Sequence, residues 1–211
     1  MNATTDAVAR PYREYVNDGV RTFLVYDFDG VFNVMYRSGT FKKNFYNPTD
    51  RFHYPNPHYD LLLREGLRTA KKYEIVWSSE LVEDVNTLAA DDSVQVMWLT
   101  TWRKYSLDVA EDMGFSFNRP PVYLPWGPTE LSSDHFKKLT AFTKYFSDFS
   151  TNDGVKIVWI DDVVLKDSEL VYEKVAAHSA MSSDDLLLVA PDEKYGVSRD
   201  EMNDVRIFLN V

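Results

Sequence analysis

Residues 22–30 read TFLVYDFDG, an apolar run that ends in two aspartates and a glycine. The run at 23–27 is apolar on both faces, and strands of that kind lie in the middle of a parallel sheet. Residues i and i+2 of an extended chain face the same way, about 6.6 Å apart, so Asp27 and Asp29 can address one small ligand. Gly30 lets the backbone turn directly after them. The stretch predicts a central strand with a polar site at its carboxyl end.

Three further apolar runs alternate with helical patterns, which is typical of an α/β fold. Buried strands are expected at 94–100, 156–161 and 185–190, and the strand at 23–27 is expected to neighbour the first two. The segment at 73–78 could be an edge strand or a hairpin arm. Helices, three of them capped by Ser79, Ser133 and Ser198, are expected at about 57–72, 80–91, 103–113, 132–147, 167–179 and 198–209. The pattern predicts a three-layer Rossmann-like domain with a mainly parallel central sheet.

The composition predicts one soluble globular domain. The chain has 211 residues and no cysteine, which excludes a disulfide scaffold and a thiolate metal site. With 23 basic and 33 acidic side chains its net charge is -10, which opposes nonspecific wrapping of a nucleic-acid backbone. The amino terminus lacks the apolar segment of a secretory signal, and no run reaches the roughly 18 apolar residues of a membrane span. We therefore expect a cytoplasmic protein without membrane contact, and leave its oligomeric state open.

A second acidic pair, Asp161 and Asp162, ends the expected strand at 156–161. The carboxyl ends of parallel strands meet at one edge of a sheet, which is where α/β proteins bind ligands. Three or four carboxylates there would repel each other unless a cation neutralised them. Oxygen ligands without cysteine suit Mg²⁺. The alternative is that Asp27 and Asp29 are turn residues and that the second pair caps a helix.

Two other segments offer phosphate ligands. Thr100 and Thr101 end the expected strand at 94–100, where hydroxyl and backbone N–H groups form a concave donor cluster that suits a phosphate. The alternative is an ordinary N-cap for the following helix. Lys137 and Lys138 lie in the amino-terminal half of the helix expected at 132–147, although a lysine on a helix is ordinarily solvated.

The stretch at 31–56 has no helical period, and loops that long in a compact domain are usually functional. Within it, residues 36–54 hold four basic residues, one acidic residue and six aromatic residues. Aromatic rings that alternate with Lys42, Lys43 and Arg51 are suited to a nucleotide or nucleic acid. The bases would stack on the rings, and the phosphates would contact the basic side chains. Alternatively, the stretch is a β-hairpin whose rings pack together and whose cations are solvated. We expect a flap over the site in either case.

From about residue 22 to 211 the chain resembles the haloacid dehalogenase-like (HAD) superfamily of phosphohydrolases. The motif DxDG matches VYDFDG at 25–30, the strand ending in Ser or Thr matches VMWLT at 96–100, and the paired acids match VWIDD at 158–162. A lysine precedes the last acidic strand, and the family pattern favours Lys138 over Lys137. The segment WLTTW and the ending GVS before a helix resemble small family members of phage and bacterial genomes that are grouped with RNA-repair proteins.

The resemblance implies roles for these residues. Asp27 would be the nucleophile that forms an aspartyl-phosphate, and Asp29 would be the acid and base. Thr100 and Lys138 would bind the phosphoryl group, and Mg²⁺ would be held by Asp27, the backbone carbonyl of Asp29 and an acid of the pair Asp161 and Asp162. Family dehalogenases lack an acid at the second position, so Asp29 argues against carbon–halogen chemistry.

The function expected from the sequence is a Mg²⁺-dependent phosphatase that hydrolyses a phosphomonoester through an aspartyl-phosphate. Its partner would be a phosphorylated small molecule, a nucleotide or a nucleic-acid end. A phosphotransferase or phosphomutase of the same fold is an alternative, since only the acceptor differs. A non-catalytic module that keeps the acids as a structural cation site is another. The intact set of motif residues weighs against the latter.

Overall fold

The computed structural model describes residues 8–34, 43–56, 70–126 and 135–211. Seven strands lie within these residues. In chain order they are β1 (Thr22–Tyr26), β2 (Asp50–Pro55), β3 (Lys72–Trp77), β4 (Val94–Trp98), β5 (Val122–Tyr123), β6 (Lys156–Ile160) and β7 (Leu186–Val189).

Five of these strands form a parallel sheet in the order β5-β4-β1-β6-β7. Tyr26 of β1 stands in register with Trp98 of β4 and with Ile160 of β6. The prediction that the first strand lies between the second and the third is therefore confirmed. The strands end one or two residues earlier than expected, which leaves Asp27 and Asp161 just beyond the sheet. The two-residue strand β5 was not predicted.

The helices flank this sheet. They are α1 (Tyr12–Asn17), α2 (Ser79–Leu88), α3 (Tyr105–Asp112), α4 (His135–Tyr145), α5 (Ser168–Ala176) and α6 (Arg199–Leu209), with 3-10 turns at Thr151–Asp153 and Val164–Asp167. The short helix α1 was not predicted. No helix in the described part of the chain is long and apolar enough to cross a membrane.

Two details of the helix starts differ from the sequence expectation. Ser78, not Ser79, caps α2, and its hydroxyl accepts from the N–H of Leu81 at 3.5 Å. Helix α3 begins at residue 105 rather than 103, because Arg103 has a φ of 53° and so cannot belong to a right-handed helix. Ser198 caps α6 through a reciprocal capping box, as predicted. Ser133 lies outside the described residues.

Alternate residues of β1 enter two cores, one on each face of the sheet. Leu24 and Tyr26 face the core shared with α2, α3 and α6, whereas Phe23 and Val25 face the core shared with α1, α4 and α5. A strand that is buried on both faces requires such a continuous apolar run. The result is an α/β arrangement with helices on both sides of a central parallel sheet.

The insertion after β1 carries a second, two-stranded sheet. Strand β2 pairs antiparallel with β3, so the segment predicted at 73–78 is a hairpin arm rather than an edge of the main sheet. The insertion therefore continues beyond the flap boundary expected at residue 56. The helix predicted at about 57–72 lies mainly outside the described residues, but Lys72 begins β3 and is not helical.

Candidate active site

The sequence-predicted acids meet at the carboxyl edge of the main sheet. Asp27 follows β1, Asp161 and Asp162 follow the neighbouring strand β6, and Thr100 follows β4 on the other side. Backbone bonds hold this edge together, since the N–H of Asp27 donates to the carbonyl of Ile160 at 2.9 Å. Carboxylate oxygens of Asp27, Asp161 and Asp162 lie within 4.8 Å of one another. We call these three buried residues the acidic cluster.

Lys138 of α4 enters the acidic cluster. Its Nζ donates to Oδ2 of Asp161 at 2.9 Å and to Oδ2 of Asp27, while the side chain is only 6% exposed. Lys137 is partly exposed. The structure therefore places Lys138 rather than Lys137 at the site.

The two acids after β6 have different surroundings. Oδ1 of Asp161 accepts from the backbone N–H groups of Val163 at 3.0 Å and Val164 at 2.7 Å, while its Oδ2 accepts from Lys138. Asp162 is equally buried, yet its carboxylate has no hydrogen-bond or ion-pair partner among the described residues. Asp161 is thus fixed by the protein, whereas Asp162 retains its oxygens for a ligand.

Gly30 allows Asp162 to reach this position. Its φ is 73°, in the left-handed region, and a Cβ on it would lie 2.3 Å from Cγ of Asp162. Any other residue would be strained by the backbone angle and would push the carboxylate away. The glycine of the DxDG motif is therefore required both for the turn and for the space beside Asp162.

Burial makes it unfavourable for the three carboxylates of the acidic cluster to be charged at the same time. Burial, together with Asp27 and Asp161, raises the pKa of Asp162 to about 7. Burial also raises the pKa of Asp27, although Lys138 works against it. Burial by itself would lower the pKa of Lys138, but Asp27 and Asp161 outweigh it and raise the pKa above its ordinary value. Three carboxylates thus share one ammonium group, and a further cation would relieve the remaining repulsion.

A hard divalent cation fits these donors. The ligands are all oxygens, which is the donor set that Mg²⁺ prefers, and one of them belongs to a buried carboxylate that has no partner within the described part of the chain. Asp27 and Asp162 are the residues that would hold it. The sequence prediction also named the backbone carbonyl of Asp29 as a ligand, and the Asp29 side chain lies outside the acidic cluster.

Asp29 lies beside the cluster with both oxygens hydrogen-bonded. The amide of Asn33 donates to its Oδ1 at 2.7 Å, and the indole N–H of Trp102 donates to its Oδ2 at 2.8 Å. Sequence reasoning missed both donors. Asn33 is near Asp29 in the sequence, but an asparagine in a loop does not by itself indicate this contact, and Trp102 is distant along the chain.

Thr100 and Thr101 lie in the turn between β4 and α3. The hydroxyl of buried Thr100 accepts from the N–H of Trp102 at 3.3 Å, and its carbonyl accepts from the indole of Trp126 at 3.2 Å. This leaves the Thr100 hydroxyl hydrogen available as a donor at the sheet edge. Thr101 is exposed on the same turn.

The flap residues lie away from the acidic cluster or outside the described residues. Lys42 lies outside them, Lys43 is exposed, and exposed Arg51 stands 3.8 Å from Glu74 of β3. The described rings of the flap all have partners in the protein. Phe45 contacts Tyr195, Tyr46 donates to Asp84, Phe52 packs on Trp77, and Tyr54 packs on Trp102. For these four rings the structure agrees with the interpretation as packing residues.

Comparison of the chain with models of protein families, with curated proteins and with solved structures gave no match.

Asp162→Asn should raise the melting temperature of the metal-free protein at pH 8 by roughly 3–8 °C. The folded-state pKa of Asp162 is raised to about 7 from 3.8. The contribution of protonated Asp162 to the free energy of unfolding is therefore fully present below pH 4 and is lost as pH rises through 7. A neutral amide avoids that loss, so the difference from wild type should shrink at pH 5.

Thermal unfolding with and without Mg²⁺ checks this, with Asp184→Asn as an exposed control. Mg²⁺ should stabilise the wild type and the control but not Asp162→Asn. Equal stabilisation of all three proteins by Mg²⁺ would show that Asp162 is not a ligand.

Proposed function

We propose that the chain is a Mg²⁺-dependent phosphatase of the HAD type, which hydrolyses a phosphomonoester through an aspartyl-phosphate on Asp27. The observation that carries the proposal is the acidic cluster with its lysine. A buried aspartate at the end of the central strand is bonded to Lys138, and next to it the carboxylate of a second buried aspartate, Asp162, has no hydrogen-bond or ion-pair partner among the residues that the structure describes. The resemblance of the motif residues to the HAD superfamily supports the same conclusion.

In the first half-reaction a carboxylate oxygen of Asp27 attacks phosphorus, and the bond from phosphorus to the leaving oxygen breaks. Asp29 in its acid form gives its proton to that oxygen, so the alcohol leaves neutral. Asp29 stands two residues beyond the nucleophile. The division of a slow hydrolysis into two steps is the benefit of covalent catalysis.

In the second half-reaction water attacks the phosphorus of the aspartyl-phosphate. Asp29, now a carboxylate, takes a proton from that water, and the bond between phosphorus and Asp27 breaks. Inorganic phosphate leaves, Asp27 is again a carboxylate, and Asp29 is again an acid. The exchange therefore returns the site to its starting state.

The remaining residues stabilise charge. Lys138 holds Asp27 in place and neutralises charge on the phosphoryl oxygens, while the Thr100 hydroxyl donates to one of them. Asp161 keeps Lys138 in position through its own backbone bonds. Mg²⁺ bound to Asp27 and Asp162 would neutralise a further phosphate charge and make the phosphorus more electrophilic.

The direct test is a screen for phosphate release with and without Mg²⁺. The substrates are mononucleotides, oligonucleotides phosphorylated at the 3′ or the 5′ end, and sugar phosphates. Release that depends on Mg²⁺, with transient phosphate on Asp27 in a rapidly quenched sample, is expected. If no substrate of these classes is hydrolysed, and no phosphate becomes bound to the protein, the proposal is wrong.

The flap provides a test of the substrate class. If Lys42, Lys43 and Arg51 follow a polynucleotide backbone, each releases roughly one counterion, so log affinity falls steeply with log salt. Lys42→Ala/Lys43→Ala should then weaken oligonucleotide binding and flatten the slope by roughly two. Turnover of a minimal aryl phosphate should hardly change.

Binding and kinetics over a salt series measure this effect, with Lys194→Ala as an exposed control outside the flap. A slope that the double substitution leaves unchanged would exclude a polynucleotide substrate held by these lysines. The substrate would then be a nucleotide or another small phosphoester.

A further inference from the structure

Asp29 is held by two neutral donors that belong to different parts of the chain. The indole of Trp102 lies in the turn after β4, and Asn33 lies in the loop after β1. Each donor binds a different carboxylate oxygen, at 2.8 Å and 2.7 Å. The plane of the carboxyl group is therefore fixed, while each oxygen keeps a second lone pair on which a proton can reside.

The indole itself is fixed by the second sheet. Trp102 is 3% exposed, and its ring packs against Tyr54 of β2 at 5.8 Å and Tyr73 of β3 at 5.4 Å. These two tyrosines are cross-strand partners. Phe28, the residue between the two motif aspartates, packs on the same indole at 5.3 Å. The indole N–H thus has little freedom to point anywhere but at Asp29.

Asn33 is fixed by the same sheet. Its Oδ1 accepts from the N–H of Val76 in β3 at 3.0 Å, which orients its amide so that the nitrogen faces Asp29. The backbone supports this arrangement, because the N–H of Val34 donates to the carbonyl of Val76 at 2.9 Å. Both donors to Asp29 therefore have contacts with the two-stranded sheet that help to orient them.

We propose that Trp102 and Asn33 are positioning residues for the acid Asp29, and that the β2 and β3 pair is the support that holds them. The inference rests on the proposed function, because it assigns Asp29 the proton transfer to the leaving group. It adds a role for an insertion that otherwise has only a substrate-binding interpretation. Neither residue touches the reacting atoms. Their effect is on the alignment of Asp29 with the leaving oxygen in the first half-reaction and with the attacking water in the second.

Alignment of an acid has a specific kinetic signature. A weakly basic leaving group such as 4-nitrophenolate departs without a proton, whereas phenolate and 4-methoxyphenolate need one increasingly. Trp102→Phe removes the N–H together with one ring of the indole and keeps an aromatic side chain. It should lower kcat/KM for phenyl phosphate by about 10–100-fold, and kcat/KM for 4-nitrophenyl phosphate by less than about threefold. The ratio kcat/KM is the quantity to compare, because it reports formation of the aspartyl-phosphate and is independent of the later attack by water.

Trp77→Phe is the matched control. Trp77 also packs in this aromatic layer, against Phe52, but its indole N–H has no hydrogen-bond partner in the described ranges of the chain. Its substitution should leave the dependence on the leaving group unchanged. Asn33→Leu is the second variant, since it removes the donor to Asp29, together with the acceptor for Val76, and adds no charge beside Asp29. This variant should also make kcat/KM depend more steeply on the basicity of the leaving group. It provides the test if Trp102→Phe does not fold.

Steady-state kinetics over the series of substituted phenyl phosphates decides the question. A steeper dependence of kcat/KM on leaving-group basicity in Trp102→Phe or Asn33→Leu, but not in Trp77→Phe, supports the inference. Equal losses of kcat/KM across the series, or no loss, in folded variants overturn it while the proposed function stands. If the wild type hydrolyses none of these esters, the proposed function falls and the inference with it.

Discussion

Asp27→Asn should release no phosphate above background, a loss of more than about 10⁴-fold relative to wild type. An amide cannot act as the nucleophile, so neither the aspartyl-phosphate nor its hydrolysis can occur. The fold should survive, because the amide oxygen can still accept one of the two bonds that Asp27 accepts, either the bond from Lys138 to Oδ2 or the bond from the N–H of Phe28 to Oδ1 at 2.7 Å. The variant also removes one charge from a repelling cluster, and its melting temperature without metal should not be lower than that of wild type.

Phosphate release and thermal unfolding of the same preparation check both parts. Asp204→Asn on the exposed face of α6 is the control and should keep full activity. Wild-type turnover by Asp27→Asn would refute the nucleophile assignment. If the variant lost its turnover and also no longer unfolded in a cooperative transition, Asp27 would instead have a structural role.

Lys138→Met should abolish turnover and lower the free energy of unfolding of the metal-free protein by about 3–5 kcal/mol at pH 8. The substitution leaves Asp27, Asp161 and Asp162 buried without any cation. For a chain of this size that corresponds to a fall in melting temperature of roughly 10 °C. Mg²⁺ should restore part of the stability, because it neutralises the same carboxylates.

The pH dependence of this loss is diagnostic. Burial raises the pKa of Asp27 and that of Asp162, the latter to about 7, so both carboxyl groups take up protons as pH falls from 8 to 5. The variant should therefore be much closer to wild type at pH 5. Lys137→Met is the matched control, one residue along the same helix. If Lys137→Met showed the larger loss, or if the loss were the same at both pH values, the placement of Lys138 would be wrong.

The fold was largely predictable because its signals are local. An apolar run such as FLVYD at 23–27 has to be buried on both faces, and that condition is met only inside a parallel sheet. The motif acids were predictable for the same reason, since each directly follows such a run. The start of α3 was not, because no residue type announces that Arg103 takes a positive φ.

The role of each residue within the site could not be predicted from the sequence, because it depends on tertiary structure. Lys137 and Lys138 are adjacent, and only the orientation of α4 decides which side chain is buried between Asp27 and Asp161. The same holds for the paired acids, where Asp161 turns toward backbone donors and Asp162 toward Gly30. The contacts of Asp29 with Asn33 and Trp102 likewise exist only once the insertion has folded against the main sheet.

The central place of β1 has a consequence for the order of folding. Its partners β4 and β6 follow it by roughly 70 and 130 positions, and Lys138 arrives on a helix between them. Contacts of such long range form slowly, and the acidic cluster is complete only when all of them exist. If the folding transition state precedes this assembly, a cation bound to the cluster contributes nothing at the barrier. Mg²⁺ would then leave the refolding rate unchanged and lower the unfolding rate, which prolongs the lifetime of the folded protein. The cation would bind after the folding barrier has been crossed, and it would have to leave before the protein unfolds.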